Sequence, residues 1–386
     1  MFEALRHAWH AFVSIPHLPL MLFIAWLVYV VWLAAWIILQ KREPIATLSW
    51  LLSLALLPYV GAIVYLVFGP QKIRRQRLRR DRNVLPRENT GLVHKSDSAA
   101  EIGALAQATS GLPESSAHSV QLLIDGGETY ASLIKDIGQA RHHVHLEYYI
   151  FGSGSSGHAM RDALIERARA GVKVRLLLDA VGSVKTKDAF FDELVAAGGE
   201  LAWFHPSRFG RFWTRSWINM RTHRKIVVID SRIGYTGGIN ITDDENDTLR
   251  DDAYRDLHLR IEGDAVRSLQ LVFVEDWMYA TGERDFVEPL SRDLPSLSKG
   301  AIATQVVASG PDSPWEAIHR VHVAAIYAAT FRVWLVTPYF VPGEAALMAL
   351  TSAAKGGLDV RLLIPRRSDS RMVTLAARSY FDELLG

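Results

Sequence analysis

Cysteine is absent from all 386 residues. That excludes disulfides, thiolate metal sites, iron–sulfur clusters and a cysteine nucleophile. An excess of charge of one sign is missing as well, with 43 Lys and Arg against 41 Asp and Glu. No global field therefore draws the chain to nucleic acid, and the electrostatics that matter are local. Charge of either sign is absent between Arg6 and Lys41. Residues 20–39 are almost wholly apolar and 45–68 repeat the pattern, each long enough for a hydrocarbon core of ~30 Å. Only residues 40–44 separate them, so the pattern predicts an N-terminal two-helix transmembrane hairpin; a buried helical hairpin of a soluble domain is the alternative. The apolar run is too long for the core of a signal peptide, and a second run follows at once. Lys72, Arg74, Arg75, Arg77, Arg79, Arg80 and Arg82 outweigh Lys41 and Arg42 of the hairpin loop. Positive charge stays inside, which places the N-terminus and everything after residue 70 in the cytoplasm, beside a multi-pass membrane anchor. The same run can hold the following domain against anionic lipid.

The length predicts two or three domains. Residues 71–118 read as a basic flank and a tether rich in Ser, Ala and Gly, with one short helix at most. Strand-like and helix-like segments then alternate: a strand over 144–151, a helix over 160–170 and a buried strand over 172–178, which is α/β organisation around a parallel sheet. "YYIFGSGSSG" and "GVKVRLLLDA" are echoed in order by "PYFVPGE" and "GLDVRLLIPR". Two copies of one lobe follow, 119–287 and 300–386, joined near 288–299.

"HRKIVVID" puts His223 and Lys225 two residues apart in a β-branched run, so strand alternation sends both to one face and Asp230 to the other. The pair suits phosphoryl chemistry, since an imidazole can attack phosphorus while an ammonium neutralises the non-bridging oxygens. Asp230 reads as a strand anchor within the motif. "GGIN" offers Gly237 and Gly238 for close backbone approach and Asn240 as an amide donor, as a phosphate cradle requires. An H-x-K alone carries no weight, whereas H-x-K-x4-D-x6-G-G-x-N is specific.

These residues resemble the HKD signature of the phospholipase D superfamily. "YRDLHLRIEGDAV", "SGPD" and "TPYFVP" are similar to bacterial cardiolipin synthases in particular, and the similarity runs over essentially the whole chain. The resemblance implies phospholipase D-like lobes and conversion of two phosphatidylglycerol molecules to cardiolipin and glycerol through a phosphatidyl-histidine intermediate, with no metal or nucleotide cofactor. It implies that His223 is the nucleophile and that Lys225 and Asn240 bind phosphate. A nucleophilic imidazole needs a carboxylate holding the proton on its other nitrogen. Asp256 is the candidate, with a salt bridge to Arg255 as the alternative; Asp243 and Glu245 lie just past the cradle. Tyr254 stands where the family often has Trp.

Residues 203–221 interleave aromatics and Arg, and Arg211, Trp213, Arg215 and Trp217 are expected at the membrane interface, packing of the rings inward being the alternative. Single-stranded nucleic acid could use a similar pairing, but the apolar spans decide for a bilayer. His143 and His145 share a strand face without acidic partners at ligand spacing, so no metal is expected. Asp179, Gly182 and Ser183 follow a strand end where α/β sheets place binding sites. A hydrolase and a non-catalytic scaffold are the competing functions. The resemblance also implies a second HKD motif whose histidine acts as general acid for the leaving glycerol oxygen, which matches the acid-base demand of the reaction. The repeat places its counterpart about 186 residues beyond His223, past Gly386. The expectation is a truncated second lobe and weak activity of this chain alone, or a homo-oligomer in which each subunit supplies one histidine.

Overall fold

The computed structural model describes residues 16–38, 44–57, 97–204, 221–287, 300–310, 315–366 and 370–386. They divide into two units. The N-terminal unit holds helices α1 (Leu18–Ile38) and α2 (Pro44–Leu56), which pack through Ile37 and Leu54 beside Trp50 and Leu51. Leu20, Phe23, Val28 and Trp32 of α1 remain exposed. Among the described residues no helix is long and apolar enough to cross a membrane. The expected two-helix transmembrane hairpin is therefore not supported: α1 has 21 uncharged residues with some side chains outside the description, and α2 has 13. The remainder of the second span and the basic run at 72–82 lie outside the described residues.

The second unit begins inside the stretch read as a tether, with α3 (Asp97–Ser110) and β1 (Glu114–Ala117). There follow β2 (Ser119–Ile124), α4 (Asp125–Gly138), β3 (His143–Tyr148), α5 (Ser155–Arg169), β4 (Lys173–Asp179), α6 (Asp192–Ala196) and β5 (Glu200–Phe204). After them come β6 (Ile226–Ile229), β7 (Ile233–Gly237), β8 (Leu257–Glu262) and α7 (Ala265–Thr281). Seven strands form one mixed sheet in the order β2-β8-β7-β6-β3-β4-β5. β3, β4 and β5 run parallel, which requires a crossover that α5 supplies between the first two. The expected strand–helix–strand over 144–178 is thus present, with bounds shifted by a few residues.

Alternation within each strand decides the layering. Val144, Leu146 and Tyr148 of β3 and Val227 and Ile229 of β6 face α4 and α5 through Tyr130, Leu133, Met160 and Leu164. Ile226 and Val228 face α7 through Val266 and Leu269. α7 is buried over most of its circumference. Helix α5 starts where the Asp243 carboxylate accepts the N–H groups of Ser155 (2.9 Å) and Ser156 (2.7 Å), and it ends near Arg167 and Arg169, the charges its dipole favours.

Toward the C-terminus, β9 (Ile302–Gln305) pairs antiparallel with β1. Next come α8 (Ala317–Ala328), β10 (Arg332–Val336), α9 (Glu344–Lys355), β11 (Asp359–Leu363), α10 (Arg371–Arg378) and α11 (Phe381–Leu385). β10 and β11 are parallel and joined by α9, the same order and direction as β3–α5–β4. The junction read at 288–299 lies outside the described residues.

Candidate active site

His223 and Lys225 sit in an extended segment just ahead of β6 rather than within it. Alternation still operates there. Thr222 and Arg224 turn to the α7 side, where the Thr222 hydroxyl donates to Glu147 and the Arg224 guanidinium pairs with Asp276 and reaches the Ser309 carbonyl. The Thr222 N–H donates to Asp179 Oδ2 at 3.2 Å. Burial, and then the Asp276 charge, push the Glu147 carboxyl well above its usual range, with Arg224 opposing. The segment carrying His223 is thus pinned from below at both neighbouring residues.

On the other side Lys225 Nζ lies 3.1 Å from His223 Nδ1 and 2.9 Å from the His223 carbonyl. The Tyr149 ring packs on His223 with centroids 4.4 Å apart, and Lys225 Nζ stands 5.5 Å from the Tyr149 ring centroid. His223 is exposed and Lys225 is buried. Burial, and then the Lys225 charge, hold His223 below the usual histidine value, while Asp179 opposes them. Burial pushes Lys225 down to about 8 against the pull of Glu245 and Asp256. At neutral pH the site holds an uncharged imidazole beside an ammonium, the arrangement that attack on an anionic phosphodiester needs.

The two glycines serve a different purpose from an open cradle. A Cβ on Gly238 would fall on the Asp256 carboxylate, and one on Gly237 would stand 2.7 Å from His258 Nδ1. Side chains at the start of β8 already occupy the space above them. Asp256 accepts the Leu257 N–H at 2.7 Å and makes no hydrogen bond to His223. The carboxylate whose charge acts on His223 is instead Asp179, fully buried at the end of β4 and accepting the N–H groups of Val181 and Gly182. Arg255 pairs with Asp125 rather than with Asp256.

Asn240 is committed to its neighbours. Its Nδ2 donates to Glu245 Oε1 at 2.7 Å, its N–H to Glu245 Oε2 at 2.5 Å, and its Oδ1 accepts the Ile150 N–H at 3.2 Å. Tyr130 fastens the turn by donating to the Asn240 carbonyl at 2.5 Å. Asp230 lies at the far end of β6 with φ +52°, and its carboxylate accepts the N–H groups of Arg141, His142 and His143 at 2.8 to 2.9 Å. It is an anchor for the start of β3, remote from His223. His143 and His145 join a buried network through Gln270, at 3.2 and 2.8 Å, with His145 stacked on Phe273. Arg211, Trp213, Arg215 and Trp217 lie outside the described residues.

Sequence reasoning missed Tyr149 and His258 and gave Asp179 only a minor substrate role. The signals available were the strand-end position of Tyr149 and the D-x-H spacing of Asp256 and His258.

Residues 133–277 match the family model for a cardiolipin synthase, PLD-like domain, and residues 28–70 match a phospholipase D-nuclease N-terminal model. A cardiolipin synthase of Geobacillus kaustophilus is 40% identical over 370 residues, covering 92% of this chain and 73% of its own length. One of Alkalihalophilus pseudofirmus is 39% identical over 371 residues, with the same coverage. Among solved structures, the phosphatidylserine synthase of Haemophilus influenzae superposes with a TM-score of 0.50 at 13% identity, over 74% of this chain and 72% of its own, which speaks for the fold alone.

Proposed function

The chain belongs to the cardiolipin synthase family of the phospholipase D superfamily, and from that premise we propose how its own residues carry out phosphatidyl transfer. The enzyme is a phosphatidyltransferase. His223 attacks the phosphorus of one phosphatidylglycerol, the bond to the headgroup glycerol breaks, and the departing oxygen takes up a proton from water at the exposed rim. The resulting phosphatidyl-histidine is attacked by a hydroxyl of a second phosphatidylglycerol, which gives up its proton to water as the P–N bond breaks and cardiolipin leaves. Lys225 neutralises the non-bridging oxygens, and Asp179 stabilises the positive charge that grows on His223 as the P–N bond forms. Asp256 and Glu245 balance the Lys225 charge, and Asn240 braces the wall behind it.

The observation that carries this reading is the Lys225 ammonium 3.1 Å from Nδ1 of an exposed, uncharged His223. Its test is incubation of the full chain with vesicles of headgroup-labelled and acyl-labelled phosphatidylglycerol, followed by product analysis. Cardiolipin and free glycerol support transfer, and His223→Ala must abolish both. Phosphatidic acid alone would assign the chain to hydrolysis, which the exposure of His223 to water favours as the second reading.

Our reading extends to the bilayer: the uncharged stretch between Arg6 and Lys41 and the exposed apolar side of α1 favour an N-terminal anchor in the inner membrane, with the catalytic unit on the cytoplasmic face. Release of the full chain from membranes by alkaline carbonate would overturn the anchor.

A further inference from the structure

The registers of three neighbouring strands line up Lys225, Gly237 and His258. Gly237 lies opposite His258 in the β7–β8 ladder. The β6–β7 ladder reaches Ile226 opposite Thr236, and one further step brings Lys225 opposite Gly237. Residues paired across strands present their side chains to one face, and the middle residue of this row has none. His258 leans into the gap, with Nδ1 2.7 Å from where a Gly237 Cβ would stand. Lys225 and His258 are 3% and 0% exposed.

Each side of the gap holds an unused hydrogen-bonding group. Lys225 spends two of its three donors on His223. Among the described residues neither ring nitrogen of His258 has a partner. A buried imidazole left in that state is destabilising, and an apolar side chain would fill the same space without the penalty. Two carboxylates, Glu245 and Asp256, meanwhile pull on the Lys225 ammonium.

Building on the roles assigned above to His223 and Lys225, we propose that His258 is a positioning residue for phosphatidyl transfer: a neutral imidazole that turns its bare nitrogen to the Lys225 ammonium across the Gly237 gap and keeps that charge aimed at His223 rather than at the two carboxylates. The groups facing Lys225 are His223 on its own segment, Tyr149 beyond β3, Glu245 in the turn after β7, and Asp256 and His258 at β8. Burial, with the Lys225 charge adding to it, holds His258 down to about 3. The ring therefore keeps a lone pair throughout the working pH range.

The test compares His258→Phe, which keeps ring bulk in the gap, with His258→Asn, which restores an acceptor, in the full chain on phosphatidylglycerol vesicles. Lys225 is titrated in parallel by NMR of isotope-labelled lysine. His258→Phe should lower turnover roughly tenfold to a hundredfold with the lipid KM within about threefold, and should move the Lys225 titration and the alkaline limb of the pH–rate profile downward together. His258→Asn should recover most of both. Unchanged turnover and titration in the Phe variant overturn the proposal, as does lost turnover with an unmoved Lys225 titration and no recovery by Asn. A wild-type chain that forms no cardiolipin would fail the functional reading, and the NMR titration would then decide the role of His258 by itself.

Discussion

Lys225 Nζ lies 3.1 Å from His223 Nδ1, and because an ammonium can only donate, the contact places the proton of the neutral imidazole on Nε2. In the proposed mechanism the resting lone pair is thus held by the residue assigned to the phosphate, and an anionic phosphodiester that competes for Lys225 would free the imidazole as it binds.

The tautomer is open to measurement. Nitrogen-15 NMR of labelled histidine should find His223 protonated at Nε2 in the free enzyme, and Lys225→Met should abolish that preference. The same variant should lower turnover by roughly two to three orders of magnitude, the scale of losing one donor to a developing oxyanion. A proton on Nδ1 in the free enzyme would contradict the geometry.

Activity should be lost as pH rises through about 8, where Lys225 gives up its charge, and as pH falls below the usual histidine range, where His223 gains one. Lys225→Arg should remove the alkaline limb of the kcat/KM profile, since a guanidinium stays charged, even at a reduced plateau. Persistence of that limb in the Arg variant would assign it to another group.

Two carboxylates should separate by the limb they move. Asp179→Asn removes the charge that opposes the lowering of His223, so the acid limb should move down and turnover should fall about tenfold. Asp256→Asn acts on Lys225 and should move the alkaline limb down instead. A shifted acid limb in the Asp256 variant would restore it as the partner of His223.

Acid should destabilise the fold through its buried histidines. Burial holds His143 down to about 4 and His258 down to about 3, and His145 well below its usual value. A histidine whose folded value is depressed stays neutral in the native state while the unfolded chain takes up a proton. Its contribution is therefore complete above the unfolded value of 6.5 and is lost as pH falls toward the folded one. Three such rings give a loss approaching about 4 kcal/mol per pH unit between those limits. Urea unfolding at pH 7 and pH 5 checks the slope, and His258→Gln should reduce it by about a third.

Asp230→Ala strips three backbone N–H groups of their acceptor and should cost about 2–4 kcal/mol of stability. Asp230→Asn keeps an acceptor and tolerates the positive φ, so it should cost less. Folded protein of either variant should retain near-normal turnover. A large loss in the Asn variant at unchanged stability would bring Asp230 into the chemistry.

The parts of the site legible in the sequence are those set by local spacing. His223 and Lys225 meet because alternation holds through residues 221–229, and 144–178 folds as strand, helix and strand because its apolar period changes twice. What failed was long-range. Gly237 and Gly238 read as a cradle in the sequence, yet only the β7–β8 register shows that Asp256 and His258 fill the space above them. Asp179 is 44 positions from His223 in the chain, and its nearness depends on β4 and β6 flanking β3. The transmembrane hairpin was inferred from length and apolarity, which the described helices do not meet.

The sheet changes direction at β3, parallel to β4 on one side and antiparallel to β6 on the other. The exits of β3 and β4 and the entrance of β6 therefore open on a single rim, where Tyr149, Asp179 and His223 collect. Acceptor choice can then be re-engineered by exchanging the connectors along that rim, leaving the strand framework and the Asp230 anchor at the opposite end untouched.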